Sequence, residues 1–210
     1  MSESATTTRV ERRMRKTAAS LTAVSRRLTA EHGLAGFTIE EVCDEVDVSR
    51  RTFFNYFACK EDAVIGGNSE SDFELLSEAF MAGTPGDWSR ALQDLVDLAI
   101  AHIESDDVDA STHTDFMAAL EREPRLLARF LGVTRERERQ IRALIARREG
   151  VEEDDPRAAA VVTIMATLMQ SSAQRFIDPA NTQDFATILT TSLAAFRTVL
   201  AVPTLKGNIS

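Results

Sequence analysis

Cysteine, histidine, tryptophan and tyrosine are all scarce in this 210-residue chain, which has 2 Cys, 3 His, 1 Trp and 1 Tyr. Cys43 and Cys59 are too few for a disulfide scaffold and form no Cys-x-x-Cys pair, so both read as small apolar residues. His32, His102 and His113 lack the short spacing that would set two imidazoles on one metal. No Gly-rich phosphate loop and no Gly-x-Ser-x-Gly elbow is present, so neither a cofactor, a metal nor enzymatic turnover is expected. No apolar run approaches the roughly 18 residues of a membrane span, and "MSESATTTRVERRMRK" lacks an apolar signal core, so a cytoplasmic protein without membrane partners is expected.

Proline and glycine are also few, at 5 and 9, while hydrophobic residues make up 44%. With much Ala, Leu, Arg and Glu, this composition favours a helical chain with an ample core. Charge is uneven. Residues 1–60 carry 10 Lys+Arg against 8 Asp+Glu, and the remainder carries 14 against 25. A near-neutral to basic head on an acidic body suits a protein that meets a polyanion at one end only.

Apolar positions at three- and four-residue steps predict a helix over 10–32, ended by Gly33. Its first turns carry Arg9, Arg12, Arg13, Arg15 and Lys16, which form either a solvated face or an arm that touches phosphate. Thr38 with Glu41 three residues on makes a capping box and predicts a short helix over 39–46. "DVS" then breaks it. Asp47 tolerates the left-handed conformation, Val48 plugs the core, and Ser49 can cap a new helix over 50–56. A long helix, a short helix, a tight turn and another short helix is the helix-turn-helix plan.

On that last helix Phe53 and Phe57 share a face and are expected to pack on Leu21, Leu28 and Val42. Arg50, Arg51, Phe54 and Asn55 are left to point outward. Arginine can pair with guanine O6 and N7, asparagine with adenine N6 and N7, and a phenyl ring can lie on a thymine methyl. The Thr38 and Thr52 hydroxyls, the Tyr56 phenol and the Lys60 ammonium suit phosphates, as does the helix terminus at Thr38. Thr38 and Ser49 are equally explained as caps, and Phe54 and Lys60 also have plain structural readings.

The stretch "FTIEEVCDEVDVSRRTFFNYFACKEDAV" resembles the DNA-binding head of the TetR family of bacterial transcription regulators, over about residues 10–65. The family pattern of a capping Thr, "GVS", "TLYxYF" and "xxKexL" is met here by Thr38, "DVS", "TFFNYF" and the run from Lys60 to Val64. The resemblance implies a cytoplasmic, nucleoid-associated homodimer that represses transcription from a double-stranded operator until a small-molecule inducer binds. It puts Thr38, Arg50, Arg51, Thr52, Phe54, Asn55, Tyr56 and Lys60 at DNA, with Ser49 beside them. Asp47, Arg51 and Phe54 depart from the usual glycine, small residue and tyrosine. An activator or ligand-insensitive regulator is the alternative, and a helical binding module or enzyme a remote one.

The expected fold is all-α, an N-terminal three-helix DNA-binding domain joined to a C-terminal helical ligand-binding and dimerisation domain. Its expected boundaries are a flexible arm at 1–9, the head at 10–58, the body at 59–201 and a tail at 202–210. Body helices are predicted at 60–66, 72–82, 88–105, 109–121, 124–148, 156–176 and 183–201. "AAAVVTIMATLM", residues 158–169, is apolar nearly all round and needs cover on two sides. With the last helix it predicts a four-helix, two-fold interface through Val161, Ile164, Met165, Leu168, Ile188, Leu189, Leu193 and Phe196, the alternative being that both helices are core of a single chain. Candidate pocket residues are Trp88, Ile103, Phe116, Met117, Phe130, Met165, Met169 and Phe176, each of which also reads as plain core. "RERERQIRALIARRE" reads as an ion-paired, solvated face with Glu138 opposite Arg142.

Overall fold

A computed structural model describes residues 2–66, 70–105 and 110–201, except the side chains within 2–12, within 70–72, and at 105 and 110. The predicted tail at 202–210 and parts of two predicted breaks fall outside the described residues. Among the described residues there are ten α-helices and no strand.

The head comprises α1 (Ser2–His32), a 3-10 turn (Leu34–Gly36), α2 (Ile39–Val46) and α3 (Arg50–Tyr56). α1 starts at Ser2, so the backbone of 2–9 continues the helix where a separate arm was expected. The body follows with α4 (Lys60–Ile65), α5 (Glu70–Met81), α6 (Trp88–Ser105), α7 (Ala110–Arg122), α8 (Pro124–Glu149), α9 (Pro156–Phe176) and α10 (Phe185–Leu200). Pro124 and Pro156 open their helices, where a missing N–H costs nothing.

Local chemistry sets both ends of α2. Thr38 Oγ1 accepts from the Glu41 N–H at 3.2 Å while the Glu41 carboxylate takes the Thr38 N–H at 2.6 Å, closing the capping box. The Thr38 N–H foremost, and then the Thr38 hydroxyl at 2.9 Å, donate to the Glu41 carboxylate and hold it below its usual range. At the other end Asp47 is left-handed, at φ 56° and ψ 49°, and the Val48 N–H returns to the Cys43 carbonyl. The chain then enters α3 through Ser49, whose hydroxyl accepts from the Thr52 N–H at 3.1 Å.

Among the described residues three apolar clusters form. The first, in the head, gathers Leu21, Phe37, Val42, Phe53 and Phe57, with Leu28 and Val48 packed against it. The second lies in the body, among Val64, Ile65, Phe116, Ala119, Leu120 and Leu126, and meets the head through Leu34, which packs against it. The third fills the body between α6, α8, α9 and α10. Five residues of the predicted two-fold interface, Val161, Leu168, Ile188, Leu189 and Leu193, are buried inside their own subunit. Ile164, Met165 and Phe196 pack on the same core half-buried. Within the single chain these positions line the seam between α9 and α10 and the core beneath it, with Ile164, Met165 and Phe196 only half-covered.

Polar contacts lock the joint. Arg26 donates from Nε to the Val64 carbonyl at 2.9 Å and from Nη2 to the Ile65 carbonyl at 2.8 Å, with its guanidinium carbon 4.4 Å from the Phe116 ring centre. Burial draws this guanidinium down to about 10, against the pull of Asp115. Glu123 accepts the Leu34 N–H at 2.8 Å, Arg122 reaches the Ala30 carbonyl at 3.3 Å, and Arg129 meets Asp62 at 2.5 Å.

Candidate nucleic-acid interface

The surface of α3 follows from what its other face must do. Phe53 is fully buried and Phe57 nearly so, which fixes the rotation of the helix and turns Arg50, Arg51, Phe54 and Asn55 outward. Phe54 is 46% exposed yet held, standing edge-on to Phe53 with ring centres 5.6 Å apart. The Arg50 guanidinium lies 5.6 Å from the Phe54 ring centre and 2.5 Å from a Glu40 oxygen. Arg51 is exposed and has no hydrogen bond or ion pair among the described residues.

The hydroxyls predicted to meet phosphate have partners of their own. Ser49 and Thr52 share a hydrogen bond at 2.8 Å, and Thr38 donates to Glu41 at 2.9 Å. Thr38 has spent its one hydroxyl proton on Glu41, whereas one of the Ser49 and Thr52 hydroxyls keeps a proton to donate to a phosphate. Tyr56 is half-buried against the head core. Lys60 points inward: its ammonium donates to the Leu34 carbonyl and, at 2.7 Å, to the Phe37 carbonyl, and lies 4.6 Å from the Phe37 ring centre. It pins the loop before α2, keeping one N–H for a partner outside. On α1, Arg13 and Lys16 are exposed and Arg15 half-buried, while the Arg12 side chain lies outside those described.

The carboxylates of α2 are partly answered from within the head. Arg27 on α1 takes Glu45 at 2.6 Å, and Arg50 takes Glu40. An acidic supporting helix therefore sits beside the exposed face without leaving all of its charge open.

The predicted pocket residues do not come together. Phe116 and Phe130 stack edge-on at 5.1 Å in the joint, and Met117 is exposed. Trp88, Met165 and Met169 pack on the body core, Ile103 is half-buried on α6, and Phe176 stacks on Phe185 at 5.7 Å. A groove of about 1040 Å³ opens instead where α5 meets α8, and none of those residues lines it. Phe73, Met81, Leu144 and Val151 give it apolar surface, while Glu74, Glu78, Glu152, Glu153 and Arg147 give it charge. On α8 the expected pairing of Glu138 with Arg142 is replaced by Arg139 with Glu136 at 2.7 Å. Arg142 turns its Nε into a buried position.

Both cysteines are free, with their thiols pushed up chiefly by burial, which disfavours the reactive thiolate. Among the described residues no group of His, Cys, Asp and Glu could hold a metal, and no helix is long and apolar enough to cross a membrane.

A capped, outward-facing second helix on a small three-helix head, carried by a larger helical body, defines the helix-turn-helix class of transcription regulators. Residues 21–64 match the family model described as bacterial regulatory proteins, tetR family, and residues 91–201 match one described as the MftR C-terminal domain. The chain is 30% identical over 148 residues to the HTH-type transcriptional regulator TcmR of Streptomyces glaucescens, a match spanning 69% of this chain and 66% of that protein. The chain belongs to the TetR family of transcriptional regulators.

Proposed function

We propose that this protein is a dimeric one-component repressor that binds a pseudopalindromic operator and is released from it by a small molecule. The observation that carries the reading is the face of α3, where Arg50, Arg51, Phe54 and Asn55 project from a helix anchored by buried Phe53. Arg50, Phe54 and Asn55 match base edges, Arg51 suits a base edge or a phosphate, and the caps at Thr38 and Ser49 leave two helix N-termini suited to phosphates. Similarity to a protein named as a transcriptional regulator supports the same reading. Such a protein works in the cytoplasm, on the nucleoid.

Dimerisation would use the faces of α9 and α10 that the intramolecular seam leaves outside. Thr163, Ala166, Thr167 and Gln170 line the first, and Thr191, Ala194, Ala195 and Thr198 the second. Small residues allow close helix approach, and a two-fold axis between these faces would place both α3 helices on one side of the duplex. The groove at α5 and α8 would take the effector, an amphipathic molecule whose polar part is basic, because four carboxylates and one guanidinium line the apolar floor.

Footprinting on the DNA upstream of the gene tests the proposal. Two protected half-sites, spaced by about one or two helical turns on one face of the duplex, are expected, together with higher reporter output when the gene is deleted. A single unpaired footprint would contradict the two-fold arrangement, and lower reporter output would contradict repression.

A further inference from the structure

The two arginines of the reading face are held differently. Arg50 is gripped on two sides: Glu40 takes Nη1 at 2.5 Å, and the Phe54 ring lies 5.6 Å from its guanidinium carbon. Phe54 is itself braced edge-on by buried Phe53, so the geometry of the head core is passed outward to Arg50. Arg51, next along the helix, has no such restraint among the described residues.

We propose that Glu40 is a specificity-determining positioning residue, which aims Arg50 at a base edge while Arg51 takes a phosphate. The assignment rests on the DNA-binding reading above. A guanidinium has five N–H donors in a planar fork, so one bond to Glu40 leaves another edge free for a bidentate pair with guanine O6 and N7. Fixing the fork beforehand removes ordering entropy from the binding step. The carboxylate also works against wrong partners. If Arg50 swung to a phosphate it would leave Glu40 unpaired beside the polyanion, a penalty that falls on sequences without the matching base. Arg51 carries no such penalty and is free to follow the backbone. Both Glu40 and Arg50 are more than half exposed, so their pairing adds little to folding and variants there should stay folded.

The test selects binding sites from randomised duplexes with the intact protein and with Glu40→Ala, Glu40→Gln, Arg50→Ala and Arg51→Ala, after thermal melts confirm that each variant folds. Arg50→Ala and Glu40→Ala are expected to relax the same base pair, from a preference of about tenfold or more to less than about threefold. Glu40→Gln keeps an oxygen for the guanidinium and should retain that preference. Arg51→Ala should leave the selected sequence unchanged, weaken all sites alike, and reduce the slope of log K on log salt by about one. A Glu40→Ala profile identical to wild type, or relaxation of that base pair by Arg51→Ala instead of Arg50→Ala, overturns the assignment while leaving DNA binding intact. Failure of the wild-type protein to enrich any sequence would remove the DNA-binding reading and this assignment with it.

Discussion

Arg26 Nη2 donates to the main-chain carbonyl of Ile65 at 2.8 Å, so a side chain of α1 closes the carboxyl end of α4, where head meets body. Its Nε does the same for Val64, and its flat face lies on Phe116. Removing the guanidinium leaves carbonyls at a helix end without their donor and opens space beside an aromatic ring. Arg26→Ala should therefore cost about 2–3 kcal/mol in urea unfolding. Arg26→Lys, with a point charge in place of the fork, should recover part of that.

Asp47 gives a prediction of the opposite sign. Its φ of 56° lies where a Cβ is strained, and it is the one non-glycine described residue in that region. Asp47→Gly should stabilise the chain by about 0.5–1 kcal/mol, because relief of that strain exceeds the added freedom of the unfolded chain. Asp47→Ala, which keeps the Cβ and loses the local hydrogen-bonding capacity, should destabilise.

Arg148 is the buried cation of the body. Its Nη2 donates to Asp94 at 2.7 Å and to the Thr84 carbonyl at 3.0 Å, and the guanidinium lies 4.4 Å from the Phe80 ring centre. Asp94→Ala would leave that charge buried without its main counter-ion and should cost about 3–5 kcal/mol. Arg148→Met should cost at least as much, since Asp94 keeps Arg90 at 2.8 Å but the buried Glu149, 3.4 Å from Arg148 Nε, is left without its cation. Urea titration of both variants gives the order.

His113 sets a pH dependence. Burial, helped by nearby Arg26, lowers its affinity for a proton in the folded chain. The unfolded histidine binds a proton near pH 6.5, so below that the unfolded state holds more protons and stability falls as pH falls. The loss continues until the folded pKa is passed. His113→Gln should flatten the stability profile between pH 7 and 5, and an unchanged slope would show that another group sets it.

The helix-turn-helix was legible because its signals are local. The Thr38 and Glu41 capping box and the Ser49 cap lie within three residues of what they bind, so α2 and α3 fall where the sequence places them. The inward turn of Lys60 was hidden, because its partners are carbonyls of Leu34 and Phe37, more than twenty positions back. Arg26 was missed for the same reason, its acceptors lying 38 and 39 residues away. The apolar faces of α9 and α10 were recognised as interfaces, but periodicity does not say whether the covering helix belongs to the same chain. Large apolar type alone cannot separate a cavity wall from core: Trp88, Met165 and Met169 pack on the body cluster and Phe116 and Phe130 on the second, while other residues line the groove between α5 and α8.

The most direct test is fluorescence anisotropy of the intact protein on labelled DNA from upstream of its own gene, titrated across a salt series against a scrambled duplex. Saturable binding is predicted, tighter on the upstream fragment by about a thousandfold or more, with log K falling linearly in log salt. Equal affinity for both duplexes, or no saturable binding at low salt, would contradict the assignment of α3 as a reading helix.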